Sequence, residues 1–145
     1  MNLKLNISTC PNDTFMFDAM LHGRIDTEGL TFDLNLADIE QLNQAVLADG
    51  PDISKLSYAV VPQICDHYKV LNSGSALGRG NGPLLVSRHK IYPDELYDAQ
   101  IAIPGVHTTA NLLMSRIYPA AQNKRAYLFS DIADAVMSGE CDAGV

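Results

Sequence analysis

Hydrophobic and polar positions follow two alternating patterns along the chain, and together they predict strands and helices in turn. Apolar or period-two runs favour strands, whereas amphipathic runs opened by Ser, Thr, Asp or Asn favour helices. The predicted strands cover residues 3–7, 32–36, 52–56, 69–72 with 75–77, 83–87, 100–103, 126–129 and 142–145. The predicted helices lie between the 8–13 turn and Gly23, between Asp38 and Gly50, over 58–67 and 109–118, and between Asp131 and Gly139. This order is typical of an α/β protein built from βαβ units.

Two of these helices carry more specific expectations. Pro62 lies inside the 58–67 helix, where it would kink the helix or confine its regular part to one side. In the 109–118 helix, the apolar positions predict that Leu112, Leu113 and Ile117 face inward.

The chain is predicted to form two lobes. Residues 1–87 hold the first βα units, and the 83–87 strand would cross to a second lobe that begins with residues 88–145. This second lobe holds only about one and a half βα units, which is thin for covering both faces of a parallel sheet. We therefore expect the second lobe to be incomplete and the chain to be truncated. An anionic small molecule is expected to bind between the lobes.

Composition and charge narrow the functional classes. The chain has 145 residues, of which 47% are hydrophobic, so it can form an ordinary core. A formal charge of −7, with ten basic residues scattered singly, argues against nucleic acid and anionic membrane surfaces as partners. No apolar run approaches the ~20 residues that span a bilayer, and no export signal is visible. Three distant cysteines indicate neither a disulfide framework nor a zinc ribbon, so we expect a reducing cytoplasm.

Three predicted strand-to-helix junctions place hydroxyl groups beside a helix start. They are Ser8-Thr9-Cys10-Pro11-Asn12, Ser54-Lys55-Leu56-Ser57 and His107-Thr108-Thr109-Ala110. Helix N-termini at the carboxyl ends of strands attract anions, so the junctions predict a site for a carboxylate or a sugar hydroxyl. The alternative is that each hydroxyl only caps its own helix. Lys55 is a further candidate for ligand contact, because it interrupts an otherwise apolar strand end.

Other candidate groups carry weaker signals. The glycine-rich loop at residues 74–82 carries Arg79 but lacks the Lys-Ser/Thr ending of a phosphate loop, so nucleotide binding is not indicated. The four histidines lack metal-ligand spacing, and no metal site is expected. His107 could serve as an acid or base, or could be a solvated loop residue. Cys10 is expected to be a buried, inert thiol.

Four motifs carry a resemblance to a known family. They are Ser8-Thr9 followed by Cys10-Pro11-Asn12-Asp13-Thr14-Phe15, the segment Ser54-Lys55-Leu56-Ser57, residues 78–84, and residues 104–110. In order and spacing the whole chain resembles the 1,4-dihydroxy-6-naphthoate synthase family of menaquinone biosynthesis. The resemblance implies a type-II periplasmic-binding-protein-like fold and a cytoplasmic lyase. This lyase would convert cyclic dehypoxanthine futalosine to 1,4-dihydroxy-6-naphthoate without a metal or organic cofactor.

The same resemblance implies which residues bind the substrate. Family members use the segments that correspond here to Lys55-Leu56-Ser57 and to Thr109-Ala110. Their catalytic histidine would lie beyond Val145, so no catalytic residue is expected in this chain and little turnover is predicted. Further candidates near the bound ligand are Asn12, Asp13, Thr14, Arg79, His107 and Thr108.

Three alternatives remain open from the sequence. A solute-binding protein of a transporter would share the fold, but it would carry an export signal or a lipid-anchor cysteine. The related chorismate dehydratase would lack the Cys10-Pro11-Asn12-Asp13-Thr14-Phe15 element. A truncated product that keeps its fold by pairing with another copy would be a homodimer.

Overall fold

A computed structural model describes all residues from 1 to 145. The chain forms two compact units, Met1–His67 and Tyr68–Val145. Each unit contains its own β-sheet with helices, so the predicted α/β class is confirmed. None of the helices combines the length and the apolar content that crossing a membrane requires.

The first unit is a three-stranded parallel sheet with three helices. Its elements in chain order are β1 (Asn2–Ser8), α1 (Pro11–Leu21), β2 (Thr31–Ala37), α2 (Ile39–Leu47), β3 (Ile53–Ser54) and α3 (Val61–Ile64). The strand order is β2-β1-β3, so β1 is the central strand. Strands β1 and β2 pair over their whole length, with Asn2 opposite Thr31 and Ser8 opposite Ala37. The carboxyl ends of the strands therefore lie at one edge of the sheet.

Helix α2 begins where the sequence predicts, because Asp38 forms a capping box. The Asp38 carboxylate accepts a hydrogen bond from the Glu40 N–H at 2.9 Å, and the Asp38 N–H donates to Gln41 Oε1 at 3.1 Å. These bonds satisfy N–H groups that a helix start leaves without an internal partner. The fixed start turns Leu42, Asn43 and Val46 toward the interior.

The second unit contains a mixed four-stranded sheet. Its elements are β4 (Val86–Ser87), a 3₁₀ turn (Glu95–Tyr97), β5 (Ile101–Ile103), α4 (Thr109–Ile117), β6 (Lys124–Ala126), a second 3₁₀ turn (Phe129–Asp131), α5 (Ile132–Ser138) and β7 (Ala143–Gly144). The strand order is β4-β7-β5-β6, in which β5 is parallel to both neighbours and β4 is antiparallel to β7. Helix α5 ends at Gly139, whose φ of 82° gives the left-handed cap that glycine favours.

The boundary between the compact units differs from the boundary placed by sequence. The compact units divide between His67 and Tyr68, whereas the sequence placed the lobe boundary between residues 87 and 88. Strand β4 explains part of the difference, because it pairs with β7 in the sheet of the second unit. A short apolar strand does not reveal from its own sequence which sheet will receive it.

Several predicted elements are shorter than expected or absent. The predicted strands at 69–72 and 75–77 do not form, and this stretch is almost wholly exposed. The predicted 52–56 strand is reduced to β3, and the 126–129 strand is displaced to β6. The predicted 58–67 helix is regular only in α3, because Pro62 lacks an N–H and is accommodated in the first helical turn.

The predicted inward face of α4 is wrong. Leu112, Leu113 and Ile117 are exposed by 52%, 39% and 64%, whereas Asn111 and Met114 are buried. Asn111 and Met114 lie three positions apart on a neighbouring stripe of the helix. Helix α4 is therefore rotated relative to the prediction. Asn111, on its buried side, makes polar contacts that are described below.

Candidate functional site

Buried polar side chains concentrate at the strand-to-helix junctions. The seven buried polar or charged residues are Asn6, Ser8, Asp13, Asn43, Ser57, Thr108 and Asn111. All their buried side-chain polar atoms have hydrogen-bond partners. Five of these residues belong to the first unit and two to the second. We call Ser8, Asp13, Asn43, Lys55 and Ser57 the first-unit junction.

Asp13 is the centre of the first-unit junction. Only 1% of the residue is exposed. Its Oδ2 accepts hydrogen bonds from the Ser8 N–H at 3.1 Å and from Ser8 Oγ at 2.5 Å. The Lys55 ammonium lies 2.7 Å from Oδ1 and 2.8 Å from Oδ2. Asp13 therefore joins the end of β1 to the residue that follows β3.

The parallel register of the sheet brings these groups together. Asn6 of β1 lies opposite Ser54 of β3, and the Lys55 N–H donates to the Asn6 carbonyl at 2.8 Å. Ser8 and Lys55 come shortly after Asn6 and Ser54 in the chain, so both lie at the carboxyl-end edge of the sheet. The first turn of α1 returns Asp13 to that edge, where its N–H donates to the Cys10 carbonyl at 3.0 Å.

The hydrogen bonds of Asp13 favour its charged form. Burial by itself would raise the pKa of the carboxyl, but the hydrogen bonds from Lys55 and Ser8, with the Lys55 charge, outweigh burial. The pKa of Asp13 is therefore held below its ordinary value. Asp13 is a carboxylate at neutral pH, and its ion pair with Lys55 is intact there.

Lys55 remains reachable from solvent although its partner does not. The Lys55 side chain is 31% exposed, against 1% for the Asp13 side chain. The sequence singled out Lys55 because a lysine at an apolar strand end needs an explanation. Asp13 supplies this explanation within the protein, and part of the Lys55 side chain stays exposed to solvent.

Asn43 and Ser57 form a second buried pair at the same junction. Asn43 Nδ2 donates to Ser57 Oγ at 3.1 Å, and the Ser57 N–H donates to Asn43 Oδ1 at 2.9 Å. The sequence did not select Asn43. The feature that could have indicated Asn43 is its position on the otherwise apolar inward face of α2, next to Leu42 and Val46. A fully buried amide on such a face requires a polar partner.

The remaining first-unit candidates surround this junction less closely. Leu56 is half-buried, while Asn12 and Thr14 are exposed. Thr14 Oγ1 donates to the Cys10 and Pro11 carbonyls, each at 3.3 Å, so this hydroxyl serves its own helix. The expectation that Cys10 is a buried thiol is wrong, because Cys10 is exposed at the N-cap of α1.

A second junction, with a different design, lies at the start of α4. Thr108 occupies the N-cap, where its Oγ1 donates to the Gly105 carbonyl at 2.8 Å and accepts from the Asn111 N–H at 3.3 Å. Asn111 Nδ2 donates to the Val106 carbonyl at 2.9 Å. Gly105 has a φ of 143°, which side chains of L-residues rarely allow, so the turn requires glycine. We call Gly105, Val106, Thr108, Thr109, Ala110 and Asn111 the second-unit junction.

Thr109 and Ala110 occupy the first two positions of α4. Their N–H groups have no acceptor within the helix, because a helix leaves its first N–H groups without internal partners. The first turn of α4 contains no acidic residue. These N–H groups and the helix dipole therefore keep a positive potential at this end. Both residues are half-buried.

A lysine extends the hydrogen-bond network of the second-unit junction. Lys124 Nζ donates to Ser115 Oγ at 2.6 Å, and Ser115 Oγ donates to the Asn111 carbonyl at 2.7 Å. Burial lowers the pKa of Lys124. This chain of hydrogen bonds links β6 to α4.

Two other candidates from the sequence are His107 and Arg79. His107 is half-buried beside the α4 N-cap, and Arg79 lies in the exposed stretch between residues 71 and 90. Nowhere do three or more His, Cys, Asp or Glu side chains meet in a way that could hold a metal ion. A shallow cavity of about 220 Å³ in the first unit is lined by Lys4, Asp33 and Asn35 among others, and it shares no residue with the first-unit junction.

Parallel strands followed by helices, with buried polar groups at the strand ends, define an α/β protein, and in open α/β sheets this edge is where ligands commonly bind. A family model described as menaquinone biosynthesis matches residues 3–145. The chain therefore belongs to this menaquinone biosynthesis family.

Comparisons with characterised and solved relatives agree with this assignment. The chain is 41% identical to a 1,4-dihydroxy-6-naphthoate synthase of Thermus thermophilus and 36% identical to one of Streptomyces coelicolor. Each match covers 99% of this chain and 51% of the relative, so the chain spans about half the length of these curated relatives. A crystal structure of a protein from Archaeoglobus fulgidus superimposes with a TM-score of 0.91 at 32% identity. That match covers 99% of this chain and 52% of the other.

Proposed function

We propose that this chain supplies substrate-binding residues for the formation of 1,4-dihydroxy-6-naphthoate in menaquinone biosynthesis. The observation that carries the proposal is the first-unit junction. There Lys55 and Ser57, which the family resemblance implies in binding, are each held by a buried partner, Asp13 and Asn43. Both named relatives carry this activity in their names. No observation favours the solute-binding protein or the chorismate dehydratase over it.

The proposed reaction is the lyase step implied by the family. Cyclic dehypoxanthine futalosine would be the substrate, and 1,4-dihydroxy-6-naphthoate the product. Lys55 and Ser57 would donate hydrogen bonds to substrate oxygens from the first unit. Thr109 and Ala110 are the other residues that the family resemblance implies in binding, and their N–H groups would be hydrogen-bond donors. These contacts orient the substrate, and orientation lowers the entropic part of a reaction barrier.

We further propose that the two units correspond to the lobes of a type-II periplasmic-binding-protein-like fold. Two features support this assignment: each unit has its own sheet, and the antiparallel strand β4 interrupts the otherwise parallel pairing of the second sheet. The exposed thiols of Cys10 and Cys65 suit a reducing cytoplasm.

Ligand titration tests the proposal directly. The fluorescence of 1,4-dihydroxy-6-naphthoate is followed while the 145-residue chain is added under anaerobic conditions. Saturable binding is expected, and K55M should weaken it about tenfold, because a hydrogen bond from a charged group is lost. K69M, which changes an exposed lysine outside both junctions, is the matched control. Equal affinity of K55M and K69M for the naphthoate would refute the role of Lys55.

A further inference from the structure

We infer that Asp13 is a positioning residue that neutralises and orients the Lys55 ammonium, so that the first-unit junction binds an uncharged hydroxyl oxygen of the ligand rather than its carboxylate. The inference rests on the proposed function, in which the ligand is a dihydroxynaphthoate or its precursor. It assigns the chemical group that this junction recognises.

The charges of the junction sum to zero. Ser8, Asn43 and Ser57 are neutral, and the two charged members, Asp13 and Lys55, have opposite signs at 2.7 Å and 2.8 Å separation. The sequence predicted an anion site here from hydroxyl groups beside a helix start, with Lys55 as a further candidate for ligand contact. The structure shows that this lysine already has its anion. A ligand carboxylate would thus meet no uncompensated positive charge.

The positive end of the α1 helix dipole also already has a negative partner within the protein. Asp13 lies in the first turn of α1, where a carboxylate interacts favourably with the helix dipole. A ligand carboxylate at this junction would place a second negative charge beside a buried one. Like charges at short range in a poorly hydrated site repel strongly, so this placement is disfavoured.

An uncharged oxygen meets no such repulsion. The Lys55 ammonium has three hydrogens, and its exposed part can offer one of them beyond the two Asp13 contacts. Ser57 Oγ accepts a hydrogen bond from Asn43, and its own hydrogen is a further neutral donor of the junction. A hydroxyl or carbonyl oxygen of the ligand can accept the Lys55 hydrogen without adding charge. The two hydroxyl groups of the naphthoate are groups of this kind.

Two naphthalene analogues separate the ligand groups. The compound 1,4-dihydroxynaphthalene keeps the hydroxyls alone, and naphthalene-2-carboxylate keeps the carboxylate alone. Each is titrated anaerobically by fluorescence against the wild-type chain, K55M, D13N and the control K69M, at low and at high salt. We expect K55M to weaken the dihydroxy compound about tenfold and to leave the carboxylate within about twofold.

D13N gives the opposite pattern of selectivity. The amide carries no charge, so Lys55 becomes an uncompensated cation. We expect the affinity for naphthalene-2-carboxylate to rise severalfold at low salt and the gain to vanish near 1 M salt, where charges are screened within about 3 Å. The affinity for the dihydroxy compound should fall severalfold, because the ammonium loses its orientation. A residue that merely stabilised the fold would weaken both compounds alike.

The outcomes separate the inference from the proposed function. Failure of the wild-type chain to bind either analogue or the naphthoate itself would overturn the proposed function and this inference with it. Binding in which K55M weakens the carboxylate compound and spares the dihydroxy compound would overturn the inference alone. Thermal melting identifies variants that fail to fold. The double variant D13N/K55M, which removes both charges, replaces K55M in that case and should show weak dihydroxy binding without the carboxylate gain of D13N.

Discussion

Both junctions lie where a strand leads into a helix, but they differ in charge. The first-unit junction contains an ion pair, whereas the second-unit junction contains no charged side chain. In the first unit, a protein carboxylate, Asp13, fills the first turn of α1 and pairs with Lys55. In the second unit, α4 begins with the hydroxyl of Thr108 and has no acid in its first turn. A helix start can therefore be satisfied by the protein itself or left with its N–H groups for a ligand. The residue type in the first turn distinguishes the two cases.

The largest expected effect concerns the charged junction. D13A removes the carboxylate that accepts hydrogen bonds from Ser8 and Lys55, and it leaves a half-buried ammonium without its partner. We expect the free energy of unfolding of the first unit to fall by about 3 kcal/mol. Urea denaturation followed by circular dichroism measures this, with D66N as the exposed control. A loss no greater than that of D66N would show that the ion pair contributes nothing to the fold.

A somewhat smaller effect is expected at the amide of the same junction. N43A removes both hydrogen bonds to Ser57 and leaves the buried Ser57 N–H without an acceptor. We expect a loss of about 2 kcal/mol in the same denaturation experiment. Q44A changes the neighbouring exposed residue and should cost much less. Similar losses for N43A and Q44A would contradict the view that Asn43 holds the Ser57 segment.

The uncharged junction is expected to be less sensitive. T108A removes the N-cap hydroxyl of α4, which typically costs about 1 kcal/mol. T108S keeps the hydroxyl and should retain most of the stability. If T108A destabilised the chain as much as D13A, the two junctions would not differ in the way described. Hydrogen exchange at the α4 amides localises the loss.

The mildest test is acidification. Because the folded pKa of Asp13 is lowered, its contribution to stability is present above the ordinary aspartate pKa of about 3.9 and is lost as the pH falls through the folded pKa. Unfolding free energy measured between pH 6 and pH 3 should therefore decrease for the wild-type chain. D13N should lack this part of the decrease. Parallel curves for the two proteins would contradict the lowered pKa.

The sequence predicted the junctions better than the partners within them. Strand β1, the Asp38 cap and the Gly139 helix end follow from local signals, and the structure agrees. The Asp13–Lys55 and Asn43–Ser57 pairs depend on the register of parallel strands and on which helix face is buried. These are long-range properties, so short segments of sequence contain little information about them.

The apolar residues of α4 led to a wrong prediction of its buried face for a similar reason. The pattern of α4 gave one leucine-rich stripe, yet the helix buries Asn111 and Met114. Asn111 reaches the Val106 carbonyl, and its own carbonyl accepts from Ser115. Hydrogen bonds of this kind can determine which face of a helix is buried. A pattern of apolar residues contains no information about them. The predicted strands at 69–77 also do not form, and the stretch is exposed.

The ion pair between Asp13 and Lys55 also has a kinetic consequence. The two residues are 42 positions apart in the chain, so the pair can form only after β3 has docked beside β1. Contacts of such long range form late and slowly, because the intervening chain must first lose entropy. D13N should therefore leave the refolding rate nearly unchanged and speed unfolding, because the lost contact forms after the folding barrier.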